Sequence, residues 1–234
     1  MEFINPKISR VNIDIEDCSI WYYSKNPFIK WVFLQRLKQA AAFIPNNLGK
    51  NPKILDIGTG CGFMLPTLSK KGKVIALDHS DKYLKKAKLL SKENGLLISY
   101  VKGNVLHLPF SNNYFSLVNA LSVLEHIKDE DKAIEEIRRI INDDGYLIAG
   151  IPIERFLVNS LFSLLSLKND IIDRNFIKSK KFRKNRYQDV HYSDIREIEN
   201  AISKKFIIKK TRKIFLNYIP DSLSLYKIYL CIPK

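Results

Sequence analysis

The residues whose types and spacing suit ligand chemistry gather in one short stretch. Ile54-Leu55-Asp56-Ile57-Gly58-Thr59-Gly60-Cys61-Gly62 runs from an apolar segment into three alternating glycines. Glycine lets a backbone turn sharply and approach a ligand where a Cβ would collide. A dinucleotide site has the spacing G-x-G-x-x-G, whose last position falls here on Phe63. Gly58, Gly60 and Gly62 give G-x-G-x-G instead, with Thr59 between the first two. That spacing fits a cofactor that has no pyrophosphate. An ordinary glycine-rich strand-to-helix turn would look the same in isolation, so the neighbours decide.

Three further segments follow in order. Asp78 ends the apolar run Val74-Ile75-Ala76-Leu77 and is followed by His79. A carboxylate in that position can accept hydrogen bonds from both hydroxyls of a ribose. Gly103-Asn104-Val105-Leu106-His107 comes after the next apolar run and offers a polar side chain and amides for an adenine edge. Asn119-Ala120-Leu121-Ser122-Val123-Leu124-Glu125-His126-Ile127 leaves the run after that, where Leu121 would lie beside the other end of such a ligand. A capping Asp, a turn Asn and a core helix are the plain alternatives for each alone. Four in this order point to one site.

These residues need a frame, and the hydrophobic pattern supplies it. Short apolar runs at Ile54–Ile57, Val74–Leu77, Ile98–Val101, Ser116–Ala120 and Tyr146–Ile151 alternate with helical stretches. The stretches are Phe63–Lys70, Asp81–Asn94 and Asp131–Ile141, with Asn94-Gly95 and Asp144-Gly145 as stop signals for the last two. Continuous rather than alternating apolar strands predict a parallel sheet with helices on both faces. A helix is expected over Trp21–Ile44, with Pro27 near its start. Another is expected over Ser193–Lys204 with Ser193 as N-cap. Two closing strands, Phe206–Phe215 and Leu225–Ile232, are joined closely enough to be antiparallel.

With those residues in view, the chain resembles the class I S-adenosylmethionine-dependent methyltransferases, within them the type 11 methyltransferase domain group. The resemblance runs from about Lys53 to Ile151 and continues loosely beyond. It implies a Rossmann-like sheet ordered 3-2-1-4-5-7-6 with only the seventh strand antiparallel, and S-adenosyl-L-methionine as cofactor. By the same resemblance, Asp56, Gly58 and Gly60 face the amino-acid part of the cofactor and Asp78 its ribose. His79 covers an adenine face, and Asn104 and Val105 meet the adenine edge. The group usually has Asp where Asn104 stands, and Asp where Ser116 stands.

Methyl transfer from a sulfonium is an in-line displacement, and alignment alone can lower the barrier by about 7–11 kcal/mol. No Asn-Pro-Pro-Tyr or Pro-Cys nucleophile motif is present. His126 and His191 are the candidates for a general base, each with a structural role as the alternative. No metal-ligand spacing occurs, and Cys18, Cys61 and Cys231 are expected as free thiols of a cytoplasmic protein. The acceptor must be chosen by the variable parts, a helical lid at about 17–45 and an insertion at about 153–187 within one domain spanning 1–234. Tyr22, Trp31 and neighbouring aromatics crowd the lid, and Leu157, Leu161 and Leu164 stripe the insertion.

A net charge of +15, with its densest run at Lys178–Arg186, attracts anions. Three readings follow: transfer to O, N or C of a small or lipid-like metabolite, RNA methylation through the basic run, or a non-catalytic binding protein of the same fold. The first is preferred, with a soluble chain that at most rests on a membrane surface.

Overall fold

A computed structural model of the chain describes residues 1–7, 22, 27–153, 192–214 and 224–234. The remaining part of the expected insertion, His191, and Trp21 and Tyr23 of the expected lid lie outside the described residues.

Seven strands form a single sheet: β1 (Lys53–Ile57), β2 (Lys73–Asp78), β3 (Ile98–Lys102), β4 (Phe115–Leu121), β5 (Ile141–Pro152), β6 (Phe206–Ile214) and β7 (Tyr226–Pro233). Their order is β3-β2-β1-β4-β5-β7-β6. The first five are parallel, and β7 runs antiparallel between β5 and β6. This is the order implied by the resemblance. Both faces are covered, and β1 shows why its sequence is continuously apolar. Ile54 packs among α1 (Pro27–Phe43), α2 (Leu65–Leu68) and α3 (Asp81–Glu93), while its neighbour Leu55 packs with α4 (Glu130–Ile140) and α5 (Ile195–Lys205) on the other face. Full burial of each such side chain stabilises the fold by about 1.5–3 kcal/mol.

Several element ends differ from the sequence expectation, each for a local reason. The helix expected at Phe63–Lys70 is only Leu65–Leu68. Lys70 and Lys71 close tighter turns onto Thr67 and Leu68, and Lys73 N then donates to Pro52 O. Gly72 has no room for a side chain there, since a Cβ would lie 2.2 Å from Pro52 O. The helix expected to stop at Asp144-Gly145 stops at Ile140 instead. Its last carbonyls accept from Asn113 N and Tyr114 N, and Ile141 already pairs with Phe115. The intervening residues bulge before the ladder resumes at Leu117 and Tyr146. The first helix begins at Pro27.

The N-cap of α5 is Asp194, not Ser193. Asp194 accepts from Arg196 N and Glu197 N, and Glu197 returns the bond to Asp194 N. Ser193 Oγ instead donates to Ile127 O and bonds Glu130 Oε2, tying α5 to the segment after β4. The Asn94-Gly95 stop is where the sequence places it, with Gly95 at φ +63°. No helix among the described residues is long and apolar enough to cross a membrane.

Candidate active site

The carboxyl ends of β1, β2 and β4 open onto a cavity of about 650 Å³. The turn after β1 is its floor. Gly58, Gly60 and Gly62 all adopt positive φ (63°, 53° and 83°), the region glycine enters without strain. At Gly58 space matters as well as conformation, because a Cβ would sit 2.3 Å from Val123 Cγ2. Thr59 N donates to Leu77 O, which pins the turn against β2. Gly62 does not line the cavity. A Cβ there would meet Leu65 and Ala87, so it allows the turn to pack against α3.

Two buried carboxylates flank the turn. Asp78, at the end of β2, accepts from Gly60 N (3.0 Å) and Ser80 N (2.9 Å), one bond on each oxygen. Carboxylate oxygens have about four acceptor sites in all, so capacity remains for hydroxyls. Asp56, on β1, is 3% exposed and accepts from Thr59 Oγ1 and Asn119 Nδ2, both at 2.7 Å. Burial raises its pKa to about 6; the two hydrogen bonds oppose the shift and the Asp78 charge adds to it. Asp56 therefore serves first to hold the β1 turn and β4 together.

The expected site residues Asp56, Gly58, Thr59, Gly60, Asp78, His79, Asn104, Val105, Leu121 and His126 all border this one cavity. His79 is 84% exposed at its side chain and lies 3.4 Å from Asp78 Oδ1. Asn104 Oδ1 accepts from Leu106 N at 3.0 Å, shaping its own turn, while its Nδ2 makes no protein hydrogen bond among the described residues. Val105 is buried. His126 ends a short 3₁₀ turn, Leu124–His126, with Nε2 3.9 Å from Glu125 Oε1.

The other wall was legible in the sequence only in part. Arg36, Tyr192 and Tyr226 line it without having been marked, together with Leu37 of α1, with Asn119 and Ser122 of the expected segment after β4, and with Tyr22 of the expected lid, stacked on Phe63 at 4.5 Å. Asn119 had a signal, a polar residue inside an otherwise apolar strand. Cys61 was expected as a free thiol and is disulfide-bonded, because spacing along the chain does not reveal which thiols a fold brings together. Cys231 is free, and burial pushes its thiol up to about 12. Among the described residues no cluster could hold a metal.

A family profile described as a methyltransferase domain matches residues 55–149, which include the glycine turn, Asp78, Asn104 and His126. Residues 55–149 are thus similar to a methyltransferase domain, carried on a sheet of the class I methyltransferase order. An uncharacterized methyltransferase of Schizosaccharomyces pombe is 33% identical over 108 residues, 42% of this chain and 39% of that protein. A ubiquinone/menaquinone biosynthesis C-methyltransferase of a Shewanella species is 29% identical over 102 residues, 41% of each chain. The match thus spans about two-fifths of the length of these relatives. Among solved structures, a putative methyltransferase from Bacillus halodurans superposes with TM-score 0.59 at 18% identity, covering 86% of this chain and 98% of that one. A Pyrococcus horikoshii protein gives 0.62 at 17%, covering 91% and 95%. Likeness at this level of identity extends to the fold, and it includes the methyltransferase sheet order.

Proposed function

We propose that the chain transfers a methyl group from S-adenosylmethionine to an O, N or C atom of a small or lipid-like acceptor. One observation carries the reading: a carboxylate fixed by two backbone amides at the end of β2 faces, across a turn of three positive-φ glycines, into a cavity of about 650 Å³. Cavities of roughly 300–1,000 Å³ are the usual size for small-molecule sites. The residues fit a nucleoside cofactor: Asp78 has acceptor capacity for ribose hydroxyls, and the Asn104 amide has unused donors beside Val105. The floor presents backbone at Gly58 and Gly60, where a side chain would block approach.

When bound, the cofactor supplies an electrophilic methyl on a sulfonium. The protein's part is to orient and to exclude water. Asp78 and the glycine turn fix one end of the cavity, and Leu121, Val123 and Ile127 give it an apolar lining next to β4. His126 borders the same space and can take up a proton where the acceptor has one to lose.

Calorimetry with S-adenosylhomocysteine and with NAD tests the reading. Micromolar binding of the first and none of the second is expected, because G-x-G-x-G departs from the G-x-G-x-x-G spacing of a dinucleotide site. NAD binding without a response to S-adenosylhomocysteine would remove the assignment.

A further inference from the structure

The amino ends of the central strands, at the opposite end of the sheet from the cavity, carry a cluster of cations. Lys53 opens β1 and Lys73 opens β2, and the two are neighbours in the ladder. Adjacent strands lie about 4.8 Å apart, a separation at which like charges repel. Lys70 and Lys71 lie in the turn that leads into β2, and Lys50 in the one that leads into β1. Lys71 is half-buried and the other four are exposed. Among the described residues none of the five is ion-paired. Lys53 Nζ sits over the Tyr114 ring at 3.7 Å, and Lys71 Nζ donates to Asn46 O at 3.3 Å. On other faces of the fold carboxylates answer the cations: Asp81 pairs with Lys102, Asp131 with Lys204 and Glu135 with Lys205. The acidic residues at this end stand to either side, Glu93 at the end of α3 and Asp143 and Asp144 in β5, with Asp143 held by Arg138 at 2.8 Å.

A second observation concerns Leu97, which is 96% exposed. It immediately precedes β3, and the pairing of Val74 with Ile98 puts it level with Lys73. The row across this end of the sheet is therefore Leu97, Lys73, Lys53. An exposed leucine by itself is ordinary. One that projects fully into solvent beside a lysine cluster supplies both parts of an interfacial membrane contact: an apolar group for the headgroup layer, and charges that attract an anionic leaflet. A nucleic-acid backbone would use the lysines and leave Leu97 without a role.

We propose that this end of the sheet docks the protein on a membrane leaflet with anionic headgroups. Lys50, Lys53, Lys70, Lys71 and Lys73 lie against the lipid phosphates, and Leu97 enters the headgroup layer. The surface is separate from the cofactor cavity, because the length of β1 holds the two about 13 Å apart. A docked molecule therefore turns its cavity mouth towards water. The proposal is independent of the methyl-transfer reading.

Sedimentation of the full chain with vesicles of phosphatidylcholine and phosphatidylserine, in a ratio of about 3:1 and at about 0.1 M salt, tests it. Binding to these vesicles and not to pure phosphatidylcholine is expected. Each lysine near an anionic surface contributes roughly fivefold to partitioning. Replacing Lys50, Lys53, Lys70 and Lys73 by Gln should therefore weaken binding at least about fiftyfold, and Leu97→Ser at least about threefold. A variant with the exposed Lys85, Lys88, Lys209 and Lys210 replaced by Gln loses the same charge from other faces, and should bind within about threefold of wild type. Equal losses in the two fourfold variants overturn the proposal, since net charge alone would then govern adsorption. So does full binding by the patch variant together with its loss when Lys180, Lys181, Arg183 and Lys184 are replaced. Binding of a labelled oligouridylate without binding of the vesicles also overturns it, and gives the lysines to nucleic acid. Should the patch variant show no folded thermal midpoint, the pair Lys50→Gln and Lys70→Gln, both in turns, decides by a loss of about tenfold or more.

Discussion

At the β2 end of the cavity, the ligand-facing groups come from turns that follow single strands: Gly58–Gly60 after β1, Asp78 closing β2, Asn104 and Val105 after β3. Much of that surface is backbone, held by bonds such as Gly60 N to Asp78 and Thr59 N to Leu77 O. At the β7 end the groups are side chains, from residues 22, 36, 122 and 226, which meet only after α1 and β7 have packed. A backbone site accepts few substitutions, because each added atom lands where the ligand or a neighbour must be. A side-chain site can be rebuilt one residue at a time without disturbing the sheet. The first end therefore suits a ligand approached mainly through backbone, and the second one selected by side chains.

This contrast can be broken most forcefully at Gly58. Gly58→Val should cost roughly 2–5 kcal/mol, combining a disfavoured positive φ with overpacking against Val123. Calorimetry should then show no S-adenosylhomocysteine binding at concentrations that saturate the wild-type protein, and urea unfolding should shift to lower midpoint. Full binding by Gly58→Val would mean the turn is not the cofactor floor. Next in size, Asp78→Ala should weaken S-adenosylhomocysteine by about 1.5–3 kcal/mol, the range of hydrogen bonds to a charged group. It should also lower the unliganded protein's stability, since Gly60 N and Ser80 N lose their acceptor. Unchanged affinity would take Asp78 out of the site.

Asp56 sharpens the contrast through pH. Its folded pKa of about 6 lies above the ordinary 3.8, so between those values the folded state holds a proton that the unfolded chain has released. Stability contributed by Asp56 is therefore full below about pH 4 and lost as pH rises towards 6. Asp56→Asn should recover about 1–3 kcal/mol relative to wild type at pH 7.5, the size of a two-unit shift, and little at pH 4. Urea unfolding at the two pH values measures it, and an equal mutant-to-wild-type difference at both would refute the shift. The smallest effect is expected for Asn104→Ala. Loss of the bond to Leu106 N should cost about 0.5–1.5 kcal/mol in unfolding experiments and weaken S-adenosylhomocysteine only a few-fold.

The same division explains what could be read before the fold was known. Asp56 to Gly62, Asp78 and Asn104 each lie in a local pattern, an apolar run ending in a turn, so their positions at strand ends follow from the sheet alone. Arg36 carries no such mark. In Pro27–Phe43 it is one cation among several, and only packing places it over Tyr226, 190 positions later. The sheet order came from the resemblance; hydrophobic periodicity supplied the strands but not their sequence across the sheet. Helix ends were misjudged where tertiary bonds overrode local signals, as where Tyr114 N takes the Ile140 carbonyl and stops α4 before Asp144-Gly145. Ser193 was a sound capping residue by type, but the neighbouring Asp194 also had Glu197 to complete a reciprocal cap.

The insertion of β7 between β5 and β6 also constrains how the chain comes off the ribosome. Strand β5 is complete at Pro152, but the strand that covers its edge begins only at Tyr226, roughly seventy residues later. At about 5–20 residues per second that interval is of order 4–15 s. Throughout it, Tyr146-Leu147-Ile148-Ala149-Gly150-Ile151 would present an unpaired apolar edge, the kind that recruits strands from other chains. Strand β6 cannot shield it, because its own ladder is made with β7. The nascent polypeptide is thus most prone to aggregate late in synthesis, and a holdase that recognises extended apolar segments would protect it at that stage.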